Sequence, residues 1–165
     1  GSSLSVIREG TRPIILETEA LASKSFLPYP SRISESVRRE HLNTLVSILE
    51  ERAGITFLDK NIVVKSTGGI KVKEQASNLS VMVSIVSSTL NQPVEANSVF
   101  VADVGLTGEL KNVPSLDVRL KEAERMGFKK AYVSKYSNVK EENYKDLEVI
   151  KMSTISEVLA KIFKL

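Results

Sequence analysis

The stretch Lys71–Ser88, KVKEQASNLSVMVSIVSS, carries a polar run into an apolar helix with Ser77 near its start. A serine there can be a nucleophile if a base takes its proton and the helix N-terminus stabilises the developing oxyanion. Serine is equally at home at a helix start as a cap or a small packing residue. Ser80, Ser84, Ser87 and Ser88 continue roughly along the same face. That series describes a small-residue surface on which another element packs closely, and spacing favours packing over catalysis. His41, the single histidine, follows Arg38, Arg39 and Glu40. It rules out a multi-histidine metal site, has no evident serine partner in sequence, and reads as a solvated helix residue.

Gly68-Gly69 and Gly105-x-x-Gly108 invite a phosphate-cradle reading, but neither leads into Lys-Ser or Lys-Thr, and no P-loop pattern occurs in the chain. They read instead as turns in which glycine supplies a positive φ. Asn78-Leu79-Ser80 is a glycosylation sequon by pattern only, inside an apolar helix. The basic pairs Arg38/Arg39, Lys71/Lys73 and Lys129/Lys130 have the chemistry to contact phosphates without reading sequence. Glu40 and Glu74 adjoin the first two, while Lys129/Lys130 has no adjacent acid. Taken singly, each pair is equally an ordinary solvated surface. No aromatic stacking pattern of the kind used for single strands is present.

These residues must be held by a chain of 165 residues, enough for one domain with a real core. A 42% hydrophobic fraction is that of an ordinary globular protein, and a formal charge of +3 permits a nucleic-acid role without arguing for it. The absence of cysteine excludes disulfides, thiolate chemistry and cysteine-based zinc sites within the chain. No apolar run approaches the ~18 residues of a membrane span, no signal peptide is visible, and the cytoplasm is the expected compartment. Gly1-Ser2-Ser3 reads as a cloning scar. A single domain is expected over residues 4–165, cut from a longer chain.

Hydrophobic periodicity supplies the elements. Leu4–Glu9 and Arg12–Ala22 read as strands around Gly10-Thr11, with Leu16, Thr18 and Ala20 on one face. Phe26–Arg32, with Pro28 and Pro30, is a loop. Leu42, Leu45, Val46 and Leu49 predict a helix from about Glu35 to Ala53, closed by Gly54. Asn61–Ser66 reads as a strand, turned at Gly68-Gly69 into a short strand Ile70–Val72. The helix opened near Ser77 runs to about Leu90, apolar enough to be central and buried. Val99–Val104 and Leu110–Val113 flank the Gly105–Gly108 turn as strands. Leu116–Met126 reads as a helix, Ala131–Ser134 and Leu147–Ile150 as strands, and the region from Ile155 to Ile162 as the last helix. Strands alternating with helices predict a layered α/β (α+β) domain with a mixed β-sheet and packed helices.

Five blocks in this order carry a resemblance: Glu9–Glu17 (EGTRPIILE), Leu45–Gly54 (LVSILEERAG), Ser66–Val72 (STGGIKV), Ala102–Glu109 (ADVGLTGE) and Arg119–Lys129 (RLKEAERMGFK). Together they resemble the C-terminal domain of the bacterial RadA (Sms) family, which is similar to the proteolytic domain of Lon protease. The resemblance implies a Lon-like fold of the ribosomal-protein superfamily type. Lon proteases use a serine–lysine dyad, the serine lying in Gly-Pro-Ser-Ala-Gly at the start of a helix. Laid without gaps on Glu74–Asn78, that context puts the nucleophile position on Ala76 and Ser77 one place beyond. The lysine position falls on Asp117. Alanine has no hydroxyl, and one helical step turns Ser77 about 100° away. Aspartate has the wrong sign beside an oxyanion. Lys111, Lys121 and Arg119 are the remaining cations within conceivable reach.

The resemblance therefore implies a domain without protease chemistry, a scaffold in DNA repair and recombination. It implies self-assembly into a homo-hexamer, DNA and the RecA recombinase as partners, no membrane, and no cofactor in this domain. ATP, Mg and Zn belong to expected further parts of the family's chains. Arg38, Arg39, Lys71, Lys73, Lys129 and Lys130 are the candidate DNA-facing groups. A serine hydrolase using Ser77 and an oligomerisation module with no DNA contact are the alternatives.

Overall fold

A long antiparallel hairpin opens the chain in the computed structural model, which describes residues 1–165. Strands β1 (Ser2–Glu9) and β2 (Arg12–Lys24) pair from Ser2↔Glu19 to Glu9↔Arg12. The two-residue turn needs a left-handed residue, and Gly10 supplies it at φ 64°. β3 (Arg32–Ser34), α1 (Arg39–Ala53) and β4 (Lys60–Ser66) follow. Next come α2 (Asn78–Leu90), the short strands β5 (Ser98–Phe100), β6 (Asp103–Val104) and β7 (Leu110–Lys111), and α3 (Leu116–Arg125). β8 (Lys130–Ser134), β9 (Glu148–Met152) and α4 (Ile155–Ile162) close the fold.

The mixed α/β architecture is present, but the strands divide between sheets. A four-stranded sheet has the order β1-β2-β4-β3, antiparallel except for the parallel β4–β3 edge. A three-stranded sheet, β5-β8-β9, is wholly parallel, and β6 and β7 form a separate hairpin. The sequence runs Val99–Val104 together, and backbone bonding explains the break. After Phe100 the chain leaves the parallel sheet, with the Ala102 amide donating to Ala76 O at 3.1 Å and Ala102 O accepting from the Leu79 amide at 3.2 Å. The start of α2 is thus sewn to the end of β5.

α2 is the axis of the molecule. Every residue from Asn78 to Ser87 is buried. One side, with Leu79, Met82, Val83 and Val86, packs among Leu42, Leu45 and Leu49 of α1, Ile62 and Val64 of β4, and Val158 and Leu159 of α4. A second cluster joins Val6 and Ala76 to Leu116 and Leu120 of α3 and to Ala131, Val133 and Val149 of the parallel sheet. The serine face turns to the long hairpin. Ser80 donates to Ser3 Oγ at 3.0 Å, Ser5 to Ala76 O at 3.4 Å, and the Ala22 amide to Ser88 Oγ at 2.9 Å. Small side chains let helix and strands approach closely, and their hydroxyls bond locally, which is the condition for burying them.

Local differences from the sequence reading have identifiable causes. α1 begins at Arg39 rather than Glu35, because Ser34 Oγ accepts from the Ser36 and Val37 amides and holds them in a turn. Ile70–Val72 is not a strand. Gly68 and Gly69 are both left-handed, at φ 74° and 67°, and turn the chain out of the sheet at the end of β4. The strap that follows is held by Ser66 Oγ on Ile70 O and by the Val72 amide on Ser36 O at 2.7 Å. β1 begins at Ser2, two residues before the expected Leu4, with Ser3 buried and the Gly1 amino group donating to Ala20 O at 2.9 Å.

The tight α2–hairpin contact makes a prediction. Ser84 is fully buried, so Ser84→Leu should cost about 1–3 kcal/mol by overpacking. Ser47→Leu, on the exposed face of α1, should stay within about 0.5 kcal/mol. Urea unfolding of the two variants measures this, and equal effects would remove the close-packing account.

Candidate functional site

The positions of the degenerate dyad lie where the segment Gln75–Ser77, a 3₁₀ turn, enters α2. Ala76 is buried in the second cluster. Ser77 is fully enclosed, and its hydroxyl donates to Glu74 O at 3.3 Å. Asp117 sits in the first turn of α3, exposed, and accepts the phenol proton of Tyr144. Of the cations considered for this site, Lys121 donates to Asn143 O at 2.7 Å and lies over the Tyr144 ring, while Lys111 is exposed on β7.

Arg119 turns inward, and its burial was not legible in the sequence. Only 2% exposed, it donates from Nε to Pro114 O at 2.9 Å and from Nη1 to Val6 O at 3.0 Å. The same Nη1 forms an ion pair with Glu74, whose carboxylate also accepts from the Arg8 amide at 3.3 Å. An ion pair therefore joins the segments that carry Ala76 and Asp117. A buried guanidinium of this kind requires both charge and hydrogen-bond compensation, and it has both.

On the other side of the strap lies a polar cleft of about 770 Å³. Its walls are the Ser34–Arg38 loop, the first turns of α1 at Glu40, His41 and Thr44, the strap Lys71–Gln75, and Asn78. His41, read as solvated, is held: Nε2 lies 2.7 Å from Asn78 Oδ1, and Asn78 Nδ2 donates to Asp103 Oδ1 at 2.8 Å. Asp103 fixes the orientation of the amide, so Asn78 offers its oxygen to the histidine. His41 must then carry its proton on Nε2. Asn78 is buried and bonded on both sides, which closes the sequon to modification.

Among the basic candidates, Arg38, Lys71 and Lys73 line this cleft together. Arg39 is exposed on the adjoining turn of α1, outside the lining. Lys129 and Lys130 lie elsewhere, at the start of β8 beside Asn97 and Glu148. The fold gives Lys130 an acid that adjacency in sequence did not, Glu95 at 3.7 Å.

Sequence reading also missed an apolar surface. Leu21 pairs with Val63 and Val63 with Ile33, so one cross-strand row spans β2, β4 and β3, and all three side chains are exposed. Phe26, Leu27 and Tyr29 are also exposed, in the β2–β3 loop. Large apolar residues inside a proline-punctuated loop were the available signal.

No family model matches the chain. Relatives named DNA repair protein RadA do: the Streptococcus pneumoniae protein is 37% identical over 163 residues, 99% of this chain, and the Escherichia coli protein 32% identical over 160 residues, 97% of it. The chain belongs to the RadA family. It spans 39% and 35% of those two proteins, and corresponds to their C-terminal part. The Campylobacter jejuni RadA is 39% identical over 133 residues, 81% of this chain.

Two phenols of this RadA-family domain are held above the ordinary tyrosine range. Tyr144 is raised by burial first and then by its bond to Asp117, and Tyr132 by burial and then by its bond to Glu95. Tyr132 also stacks on Phe100 at 4.9 Å. The folded state holds these protons more tightly than the unfolded chain does. Their contribution is therefore complete below an unfolded-chain pKa of about 10 and is lost as pH rises beyond it. Thermal melts across that range should fall less steeply for Tyr132→Phe/Tyr144→Phe than for the wild type.

The Arg119–Glu74 pair predicts an asymmetry. Glu74→Ala strands a buried charge and should cost on the order of 3 kcal/mol. Arg119→Met leaves Glu74, 29% exposed, with access to water, and should cost less. Chemical denaturation of both variants decides it, and a costlier Arg119→Met would refute the ordering.

Proposed function

We propose that this domain is a non-proteolytic, Lon-like scaffold of a RadA-type DNA repair and recombination protein. It supports ring assembly and lends basic surface to DNA. The observation that carries the reading is the Arg119–Glu74 ion pair, which joins the strap to α3 beside Ala76 and Asp117. With the hydroxyl of Ser77 enclosed and turned to a backbone carbonyl, the neighbourhood offers neither an accessible nucleophile nor a lysine base, the pair on which serine–lysine chemistry depends.

Two surfaces support the remaining roles. The exposed row Leu21–Val63–Ile33 is a sheet face of the kind that self-association covers, and a homo-hexamer is the assembly we assign to it. Arg38, Lys71 and Lys73, converging on one cleft, supply the basic patch for DNA phosphates. ATP hydrolysis with Mg and the Zn module are assigned to other parts of the whole protein, and RecA recombinase is a partner expected from the family. A second reading, oligomerisation without DNA contact, is favoured by the apolar row alone.

Duplex DNA affinity measured against salt tests the DNA role. Arg38→Ala/Lys71→Ala/Lys73→Ala should reduce the slope of log K on log salt by roughly 2–3, close to 0.9 for each phosphate no longer neutralised. Lys129→Ala/Lys130→Ala should leave the slope nearly unchanged. Absence of binding even at low ionic strength would leave the oligomerisation reading. A fluorophosphonate probe should fail to label the folded protein, and labelling lost in Ser77→Ala would restore the hydrolase.

A further inference from the structure

The two strands of the long hairpin do not end together. β2 runs on to Lys24, while its pairing with β1 stops where Gly1 and Ala20 exchange backbone hydrogen bonds at 2.8 and 2.9 Å. Backbone groups alternate along a strand, so the Ala22 amide points to the same edge as that of Ala20. It meets no strand there and donates instead to Ser88 Oγ at 2.9 Å, near the end of α2. α2 therefore stands where a continued β1 would have to lie. The inner side is closed too, because a methyl group on Gly1 would collide with Ser84 O and Ser87 Cβ. Only the outer side is open.

On that side lies a groove of about 920 Å³, with Gly1 in its lining. Its floor is the outer face of the sheet at Leu21 and Val63, and Pro93 and Val94, in the turn after α2, stand in its wall. Leu21 is 61% exposed and Val63, directly across from it, 37%. The charged side chains of the lining, Glu19 and Lys65, face each other at 3.7 Å and cancel. An apolar floor with no net side-chain charge suits a stretch of polypeptide and gives a polyanion nothing to bind. Continuity decides which polypeptide. The chain corresponds to the C-terminal part of its RadA relatives, at 39% and 35% of their length, so in those proteins polypeptide precedes this region. Arriving at Gly1, it meets α2 ahead and beneath and the groove above. A tethered segment also binds without the loss of translational freedom that a second copy must bear.

We propose that, in the whole RadA-family protein, the segment immediately preceding Gly1 leaves the sheet on its outer side and packs in this groove on Leu21 and Val63. The domain is thereby fastened along a fixed line to the part of the chain before it. The segment takes the Leu21–Val63 end of the apolar row and leaves Ile33 to a neighbouring copy. The inference rests on membership of the family and is independent of the DNA role.

The test is photo-crosslinking in the whole protein carrying Leu21→p-benzoylphenylalanine, read by denaturing gel and peptide mass spectrometry. The photoactive ring should capture a peptide from the residues just before this region, with no shift to the mass of a dimer. The same group at Val118, exposed on α3, should not capture that peptide. Capture of a second copy from position 21 would overturn the inference and leave the self-association reading of the row standing. Capture of neither would overturn the inference and count against that reading as well. As a second measurement, Leu21→Asp/Val63→Asp changes exposed side chains and should leave the circular dichroism unchanged. It should raise the rate at which a protease cuts the preceding segment by about tenfold, the equivalent of one partly buried leucine. An unchanged rate would overturn the inference.

Discussion

A guanidinium taken almost wholly out of water sets the terms for this fold. Arg119 has to find acceptors for its donors and a carboxylate for its charge, and it finds them on three separate parts of the chain. Val6 O belongs to β1, Pro114 O to the approach to α3, and Glu74 to the strap. None of these is near another in sequence. The Arg8 amide, also bound to Glu74, draws β1 further into the same knot. Because an uncompensated charge here costs far more than a lost surface pair, the hairpin, the strap and α3 are fixed relative to one another, and the entry to α2 with them.

Around that knot the molecule is arranged in layers that share α2. Its apolar side serves α1, α4 and β4, and its serine side serves the long hairpin. Asn78, in its first turn, reaches outward to His41 and across to Asp103. One buried helix therefore links the interior to the wall of the polar cleft. The cleft keeps its shape because its histidine and its loop are bonded to the core.

Much of this was legible in the sequence, and the parts that were not share a cause. α4 falls where the spacing of Ile155, Val158, Leu159 and Ile162 puts it. The buried α2 follows from its continuous apolar content, and the hairpin from the alternation of Leu16, Thr18 and Ala20. Resemblance, rather than periodicity, pointed to the RadA family. What pattern could not reach were contacts closed by tertiary structure. His41 looks solvated until Asn78 is brought 2.7 Å from it. Arg119 looks like one more charge on an amphipathic helix until its carbonyl acceptors arrive. β3 is too short to carry a pattern and exists because β4 offers a free edge. Lys129 and Lys130 resemble the other basic pairs in composition, but the fold sets them apart from the cleft.

The strap from Gly68 to Gln75 has one further consequence. It lies outside both sheets and is tied at three points, by Ser66 on Ile70 O near one end, by the Val72 amide on Ser36 O in its middle and by the Glu74–Arg119 pair near the other. A segment outside the sheets, held by a few isolated bonds, can open at less free energy than global unfolding requires. Because Val72 bonds to the loop before α1 and Glu74 bonds to Arg119 of α3, a displacement of the strap is felt both at the opposite wall of the cleft and at the most deeply buried charge in the molecule.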